Sequence, residues 1–438
     1  MRVQWEKQQR EREQRSHRLV GQRQSLFFFH PSSPGTPFFL PHGAAMVGNL
    51  LQLLRGAYRR RGYQEVMTPM LFHKELWEQS GHWANYADNM FLVGGGSSDD
   101  ALEADARKAL AADDEPWTDV GLKPMNCPAH CLIFKHQPRS YRALPFRLAD
   151  FSPLHRNEIS GALSGLTRLR GFHQDDAHIF CTLDQMADEI QACLGMIDDV
   201  YHLFGFKRHF LLSTRPPKDE RVGDDELWDR AEDALRAALM DGGREWAVNE
   251  GDGAFYGPKI DVVVEDALGR KHQLATVQLD FNLPIRFDLH YQDEAQQQQR
   301  PVIIHRAVLG SVERFLAILL ESAAVPTWLN GRKAAILPVG GSAASEHAAA
   351  DLADVLRRAG IDGIDVRGGV NERLAKGIKM SRDDGYPFAL VLGEKEVHPE
   401  SGALRAVAVR NLLTGEQQTL TVDETVALLA SHAAIPAL

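Results

Sequence analysis

Apolar residues recur at three- and four-residue steps after Pro41. Met46, Leu50, Leu53, Leu54 and Ala57 make one stripe, and Arg59, Arg60, Arg61 and Gly62 supply cations and a glycine stop at its C-terminal end. The pattern predicts one amphipathic helix. Residues 64–71 then read as a strand, and because Pro69 cannot donate to a central ladder, that strand is expected at an edge or an interface. Residues 182–204 open on a Thr182-x-x-Gln185 capping pattern and repeat apolar side chains at Met186, Ile190, Cys193, Leu194, Ile197 and Tyr201. This predicts a second helix, with Cys193 as part of its core face. After Pro326 the texture changes. Short apolar runs at 334–339, 364–367, 388–392 and 406–409 alternate with helical stretches at 346–360, 371–382 and 422–429, the signature of a separate α/β domain of roughly 100 residues.

Composition narrows the class. The chain has 438 residues, 44% hydrophobic and 25% charged, enough for two or three globular domains. Its 4 cysteines lack paired or ribbon spacing, which speaks against a disulfide framework, so any metal-binding cysteine acts singly. No apolar run reaches the roughly 18 residues that span a bilayer, and no membrane role is expected. The N-terminal 23 residues are rich in arginine but carry Glu6, Glu11 and Glu13 and no apolar core, unlike a signal or transit peptide. Net charge is -10, so an RNA partner would have to use local basic patches. Residues 94–118, with three glycines, two serines and two aspartates before an acidic Ala-rich run, read as a surface insertion.

Three segments carry candidate chemistry. His155-Arg156-Asn157-Glu158 leads into a glycine-rich, cationic stretch with Arg168 and Arg170; an arginine at a strand end can clamp phosphate, and a nearby glutamate can accept from an adenine amine. Residues 172–180 alternate polar and apolar side chains, which aims Gln174, Asp176 and His178 at one face. Residues 302–315 read as a strand passing into a helix that begins near Gly310, with Arg314 in its first turns. Blander readings stand beside these. Each arginine also fits a solvated surface residue, His178 or His305 alone fits a core histidine, and Asp175-Asp176 fits an ordinary turn.

A family resemblance covers nearly the whole chain from about Ser16. The helix and strand around Pro69, the run His155 to Glu158, and Gly310-Ser311-Val312-Glu313-Arg314-Phe315 resemble motifs 1, 2 and 3 of class II aminoacyl-tRNA synthetases. Residues 122–130, 172–180, 253–261 and 276–281 are similar to signatures of the threonyl-tRNA synthetase family. The resemblance implies an α/β (α+β) chain in which a class II antiparallel-sheet catalytic domain precedes an α/β anticodon-binding domain. The expected boundaries are 1–35 for an arm and entry strand, 36–329 for the catalytic domain and 330–438 for the anticodon-binding domain. It implies that Cys127, His178 and His305 hold one Zn2+ per subunit, with positions left open for the amine and hydroxyl of L-threonine. Valine lacks that hydroxyl, and a polar site rejects such an isostere well. Asp176 would accept from the hydroxyl, with Gln174, Tyr256, Gln273 and Ser311 completing the amino-acid pocket. Arg156 and Arg314 would be the catalytic arginines, and Glu158, Arg168, Phe172 and Gln278 would join them in binding ATP with Mg2+. Asn371, Glu396 and Arg410 fall where the family reads anticodon bases, although Glu396 and Arg410 also fit surface ion pairs.

The implied activity is threonine–tRNA ligation: threonyl-adenylate formation, then transfer to the 3′-adenosine of tRNA(Thr), in a cytoplasmic homodimer built on motif 1. Only about 25 residues precede the catalytic entry, so the editing region of longer members is expected to be absent. Residues 162–176 look more like short organellar forms of fungi than the usual bacterial enzyme. A paralogue serving drug resistance, or one loading a non-tRNA acceptor, is the alternative; a non-catalytic relative fits poorly with the full set of Cys127, Arg156, His178, His305 and Arg314.

Overall fold

The computed structural model describes residues 15–93, 120–265, 270–322, 325–340, 342–368, 373–398 and 401–438. The surface insertion expected at 94–118, most of the N-terminal arm and Asn371 therefore lie outside the described residues. The chain divides into two compact units. One comprises Arg55–Phe315 and Leu438; the other joins the residues up to Leu54 with Leu316–Ala437.

The first unit is built on an eight-stranded sheet. Its strands are β1 (Gln64–Val66), β2 (Phe146–Asp150), β3 (Asp176–Cys181), β4 (Arg208–Ser213), β5 (Trp246–Asn249), β6 (Lys259–Glu265), β7 (Lys271–Asp280) and β8 (Val302–Ala307). Across the sheet they run β5-β4-β6-β7-β8-β3-β2-β1. Pairing is antiparallel except at the two outer pairs, β4–β5 and β1–β2. Every residue of β3 and β8 is buried, as suits central strands covered on both faces.

The helices meet the pattern with local differences. Helix α1 covers Pro41–Arg60, as its stripe predicts. The strand expected at 64–71 stops at Val66 and resumes as Leu71–His73 in a different sheet; Pro69 breaks the run, and β1 is indeed an edge. Helix α2 (Cys127–Lys135) starts with a proline in its first turn. Helix α3 (Met186–Leu203) begins one turn later than expected. Thr182 and Gln185 still exchange the reciprocal capping bonds, Thr182 N–H to Gln185 Oε1 at 3.1 Å and Gln185 N–H to Thr182 Oγ1 at 3.3 Å, but they do so in the preceding turn. Ile190, Cys193, Leu194, Ile197 and Tyr201 are its buried stripe. The reading of Asp175 as a turn residue is corrected: it is fully buried and accepts from Tyr58 Oη (2.6 Å), Val308 N (2.7 Å) and Leu309 N (2.8 Å), bracing three segments together.

Helix α4 (Val312–Glu321) crosses the division at Phe315, and the second unit holds a five-stranded sheet: β9 (Ala334–Pro338), β10 (Ile364–Val366), β11 (Phe388–Leu392), β12 (Val407–Asn411) and β13 (Gln417–Leu420). The strand order is β10-β9-β11-β12-β13, parallel where helices cross over and antiparallel where hairpins connect. Alternation splits the core. Ala334, Ile336 and Leu390 pack with Leu352 and Leu356 of α5 (Ala343–Arg358), whereas Ala335, Leu337 and Ala389 pack with Ile378 of α6 (Leu374–Asp383). Helix α7 (Val422–Ala433) opens on a complete capping box between Thr421 and Glu424. Strand β13 was not expected: Gln-Gln-Thr-Leu on an exposed edge has too little apolar content to register as a strand. A short helix, His17–Arg23, lies where only a charged arm was expected; His17 and Val20 supply its buried side.

Candidate active site

The central strands place side chains in two rows on one face. In the first, Asp261, Thr276, Ala307, Asp176 and Asp150 follow one another across β6, β7, β8, β3 and β2. In the second, two residues along each strand, Gln278 and His305 are followed by His178. Period-two alternation keeps both rows on the same side of the sheet. Cys127, the first residue of α2, approaches that face from outside the sheet. Of these, Thr276, Ala307, Asp176, Gln278, His305, His178 and Cys127 line a cup of ≈ 120 Å³ with Met125, Gln174, Tyr256 and Arg156. Gln174, Asp176 and His178 do share one cavity, although Gln174 precedes the strand.

One ligand-capable atom from each of Cys127, His178 and His305 lies within 4.8 Å of the others, and all three residues are buried. A thiol and two imidazoles are the donor set that suits a tetrahedral cation with a position left open. The surroundings fit such a group. Burial, with His305, His130 and Arg306 nearby, holds the His178 pKa well below its ordinary value, so the ring is neutral as a ligand must be. Burial first, then Asp176, pushes the Cys127 thiol well up, so in this pocket only a cation would draw off its proton. His82 was not singled out from the sequence; its Nε2 lies 3.7 Å from Cys127 Sγ, brought there by a five-residue helix with no periodic signal. Asp176 is buried, raised in pKa by desolvation, and held by Asn126 Nδ2 at 3.1 Å.

Beside the cup opens a cleft of ≈ 500 Å³, lined by Tyr86, Glu158, Arg168, Phe172, Gln273, Ser311 and Arg314. Arg156, Gln174 and Thr276 line both spaces, so the Arg156 guanidinium stands at the junction. It lies 5.1 Å from the Phe172 ring centroid, and its Nε donates to Pro124 O at 3.3 Å. Arg314 is aimed by Nε–H to Thr167 O (2.8 Å) and Nη1–H to Gln273 O (3.0 Å). Burial, then Arg156 and Arg168, lowers its pKa, a sign of cationic charge awaiting an anion. Arg168 Nε donates to Glu158 at 2.9 Å on the open rim.

Three placements differ from the sequence expectation. Gln273 and Ser311, expected in the amino-acid pocket, line the cleft; Gln273 Nε2 donates to Asp261 and Thr276, and Ser311 Oγ caps the Arg314 amide at 3.1 Å. Gln278, expected at ATP, lines the cup and donates to Gly257 O at 3.0 Å. For Gln273 the cause is a bulge: Asp261 pairs with Thr276 but Val263 with Gln273, so the extra residue brings Gln273 to the same face as Thr276. In the second unit Arg410 lies on β12 with its Nε buried and, among the described residues, without a hydrogen-bond partner, and Glu396 accepts from the Gly393 amide at 3.0 Å.

Residues 110–323 match the class II tRNA synthetase core domain shared by the G, H, P, S and T enzymes, and 333–432 match an anticodon binding domain. The structure superposes on prolyl-tRNA synthetase from Cryptosporidium parvum with a TM-score of 0.66 at 13% identity, over 95% of this chain and 75% of that one, a likeness of fold. The fold is that of a class II aminoacyl-tRNA synthetase. A crystal structure of the RNA binding domain of threonyl-tRNA synthetase from Cryptosporidium parvum Iowa II matches at TM-score 0.85 and 42% identity, covering 96% of this chain and 99% of that one. Human mitochondrial threonine–tRNA ligase is 50% identical over 399 residues, 90% of this chain and 54% of the relative; human cytoplasmic threonine–tRNA ligase 1 is 47% identical over 425, 96% and 55%. The chain belongs to the threonyl-tRNA synthetase family. It spans about half the length of the curated relatives it matches.

Proposed function

We propose that the chain is a threonine–tRNA ligase, activating L-threonine with ATP and Mg2+ and transferring it to the 3′-adenosine of tRNA(Thr). One observation carries the reading: Arg156 lines both a small polar cup with a thiol and two imidazoles and a larger cationic cleft. An amino acid in the cup and a nucleotide in the cleft would meet at its guanidinium.

Cys127, His178 and His305 would hold one Zn2+ per subunit; when bound, the ion supplies open positions that select an amino acid carrying both an amine and a hydroxyl. Asp176 accepts from the hydroxyl, and Tyr256, Gln174 and Gln278 close the cup. Arg156 steadies the carboxylate and the α-phosphate as charge builds in line between them, and Arg314 grips the outer phosphates while Phe172 covers the base. Glu158 and Arg168 form the rim, with Gln273 and Ser311 on the cleft wall. Retention of Asn371, Glu396 and Arg410 supports a second domain, 330–438, that reads the anticodon, after a catalytic domain at 36–329. A homodimer formed on the Pro69 segment, and a cytoplasmic setting, complete the reading; among the described residues no helix is long and apolar enough to cross a membrane. Charging of a tRNA(Thr) transcript with labelled threonine tests it. Acylation is expected, with loss when the anticodon is changed; no acylation in the presence of zinc, Mg2+ and ATP would refute it.

A further inference from the structure

Behind the cup runs a line of buried groups that the aminoacylation reading leaves unused. His178 Nδ1 lies 2.7 Å from Nδ1 of His130, with the rings nearly perpendicular. His130 Nε2 in turn lies 3.8 Å from Asp150 Oδ2 and, among the described residues, makes no hydrogen bond. Asp150 is anchored from the far side: Thr68 Oγ1 donates to the same oxygen at 2.7 Å, and Lys123 Nζ stands 3.7 Å away. His130, Asp150 and Lys123 are completely buried. The second imidazole of the cup is backed differently. His305 Nε2 meets Asp280 Oδ2 directly at 2.9 Å, and the amides of Asn282 and Leu283 orient that carboxylate through its other oxygen.

A ligating imidazole gives its other N–H to an acceptor, which fixes its tautomer and ring plane. For His305 the acceptor is Asp280. Among the described residues no carboxylate pairs with His178, whose Nδ1 partner is His130, and a neutral imidazole accepts only through its unprotonated nitrogen. If His178 keeps Nε2 free for a metal, its proton sits on Nδ1. His130 must then present the bare Nδ1 and carry its own proton on Nε2, facing Asp150. Every proton in the line is thereby assigned. His130 lies three residues after Cys127 on α2, so a single helical turn would bring both a thiol ligand and the support for an imidazole.

We propose that His130, with its Nε2 turned towards Asp150, is the positioning residue of the metal cup: it fixes the tautomer and orientation of His178 and so raises the affinity of the site for its cation. The inference rests on the metal role of Cys127, His178 and His305.

Zinc-loaded protein labelled with 15N-histidine tests it through long-range 1H–15N correlations, assigned with single-histidine variants. The expected spectrum shows His178 protonated at Nδ1 and His130 at Nε2; a His178 ring protonated at Nε2, or a His130 ring protonated at Nδ1, overturns the proposal. Competition with a chelator supplies the second readout. His130→Leu is expected to weaken zinc binding about 10- to 100-fold, and His130→Gln, whose amide oxygen can accept the Nδ1 proton, to recover most of that loss. Equal affinity in all three proteins, or equal losses that track thermal stability, would mark His130 as ordinary packing and refute the assignment. Should His130→Leu not fold, the spectrum of the parent decides alone. A parent that takes up no zinc would instead sink the metal reading itself, and this inference with it.

Discussion

His178 and His305 stand directly opposite one another across the antiparallel strands β3 and β8, with ring centroids 4.5 Å apart. Cross-strand pairing fixes that approach before any ion is present, which is how two distant imidazoles become one preformed half-site. Cys127→Ala removes the third donor while leaving the pair in place. The account predicts loss of stoichiometric zinc with an unchanged fold, read by metal analysis and circular dichroism.

Discrimination follows from the chemistry of the cup. Valine forfeits the hydroxyl and leaves Asp176, buried and short of partners, without its donor, so its activation is expected about 10⁴- to 10⁵-fold below that of threonine. Serine keeps both polar groups and lacks one methyl, worth ~1–3 kcal/mol, so its activation is expected only about 10- to 200-fold lower. Amino-acid-dependent pyrophosphate exchange measures both ratios in kcat/KM. Asp176→Ala is expected to narrow the gap between threonine and valine.

Arg156 joins cup and cleft, so its loss affects the step rather than either binding event alone. Arg156→Ala is expected to lower kcat for adenylate formation about 10²- to 10³-fold, ~2.7–4 kcal/mol. Arg156→Lys should restore little, since an ammonium lacks the planar fork that meets two oxygens at once. Single-turnover kinetics separates this from a change in affinity.

Gly310 holds the turn from β8 into the helix that carries Arg314. Its φ is +74°, and a Cβ there would lie 2.5 Å from the carbonyl oxygen of Leu274, at the bulge of β7. Gly310→Ala combines a strained backbone with a clash against main chain, so a loss of about 1–3 kcal/mol is expected. Urea denaturation reads the stability, and ATP titration should show the displaced Arg314 as weaker binding.

His173 introduces a pH dependence. The Glu313 carboxylate accepts from its backbone amide at 3.0 Å and lies 2.8 Å from its Nδ1, and this hydrogen bond raises the imidazole pKa above its ordinary value. A raised folded-state pKa contributes stability that is complete below the unfolded value near 6.5 and vanishes as pH climbs through the folded one. Because the ring is partly open to solvent, the effect is held to at most about 1 kcal/mol. Thermal melts at pH 6 and pH 9 should differ less in His173→Asn than in the parent.

Local pattern was legible where chemistry is periodic. Helix α1, the buried stripe of α3 and the strand Phe388–Leu392 follow directly from apolar spacing. Gln174, Asp176 and His178 could be grouped because alternation is a property of neighbours in sequence. What the sequence hid was register. Nothing in residues 271–280 announces the bulge that brings Gln273 to the face of the cleft. The supports behind the cup, Asp150, Asp280 and His130, were equally silent, because a carboxylate on a central strand looks like an error of pattern until its partner arrives from another element. Pro69 marked a true break but not where the chain would rejoin a sheet.

The central claim is that a thiol and two imidazoles around one divalent cation let the cup choose a hydroxylated amino acid for Arg156 to activate. Threonine-dependent pyrophosphate exchange, measured before chelation, after removal of the metal, and after zinc is returned, tests it directly. The account predicts exchange that falls away with the metal, returns with zinc, and stays low with valine throughout. Undiminished exchange in metal-free protein, or equal exchange with valine and threonine, would contradict it.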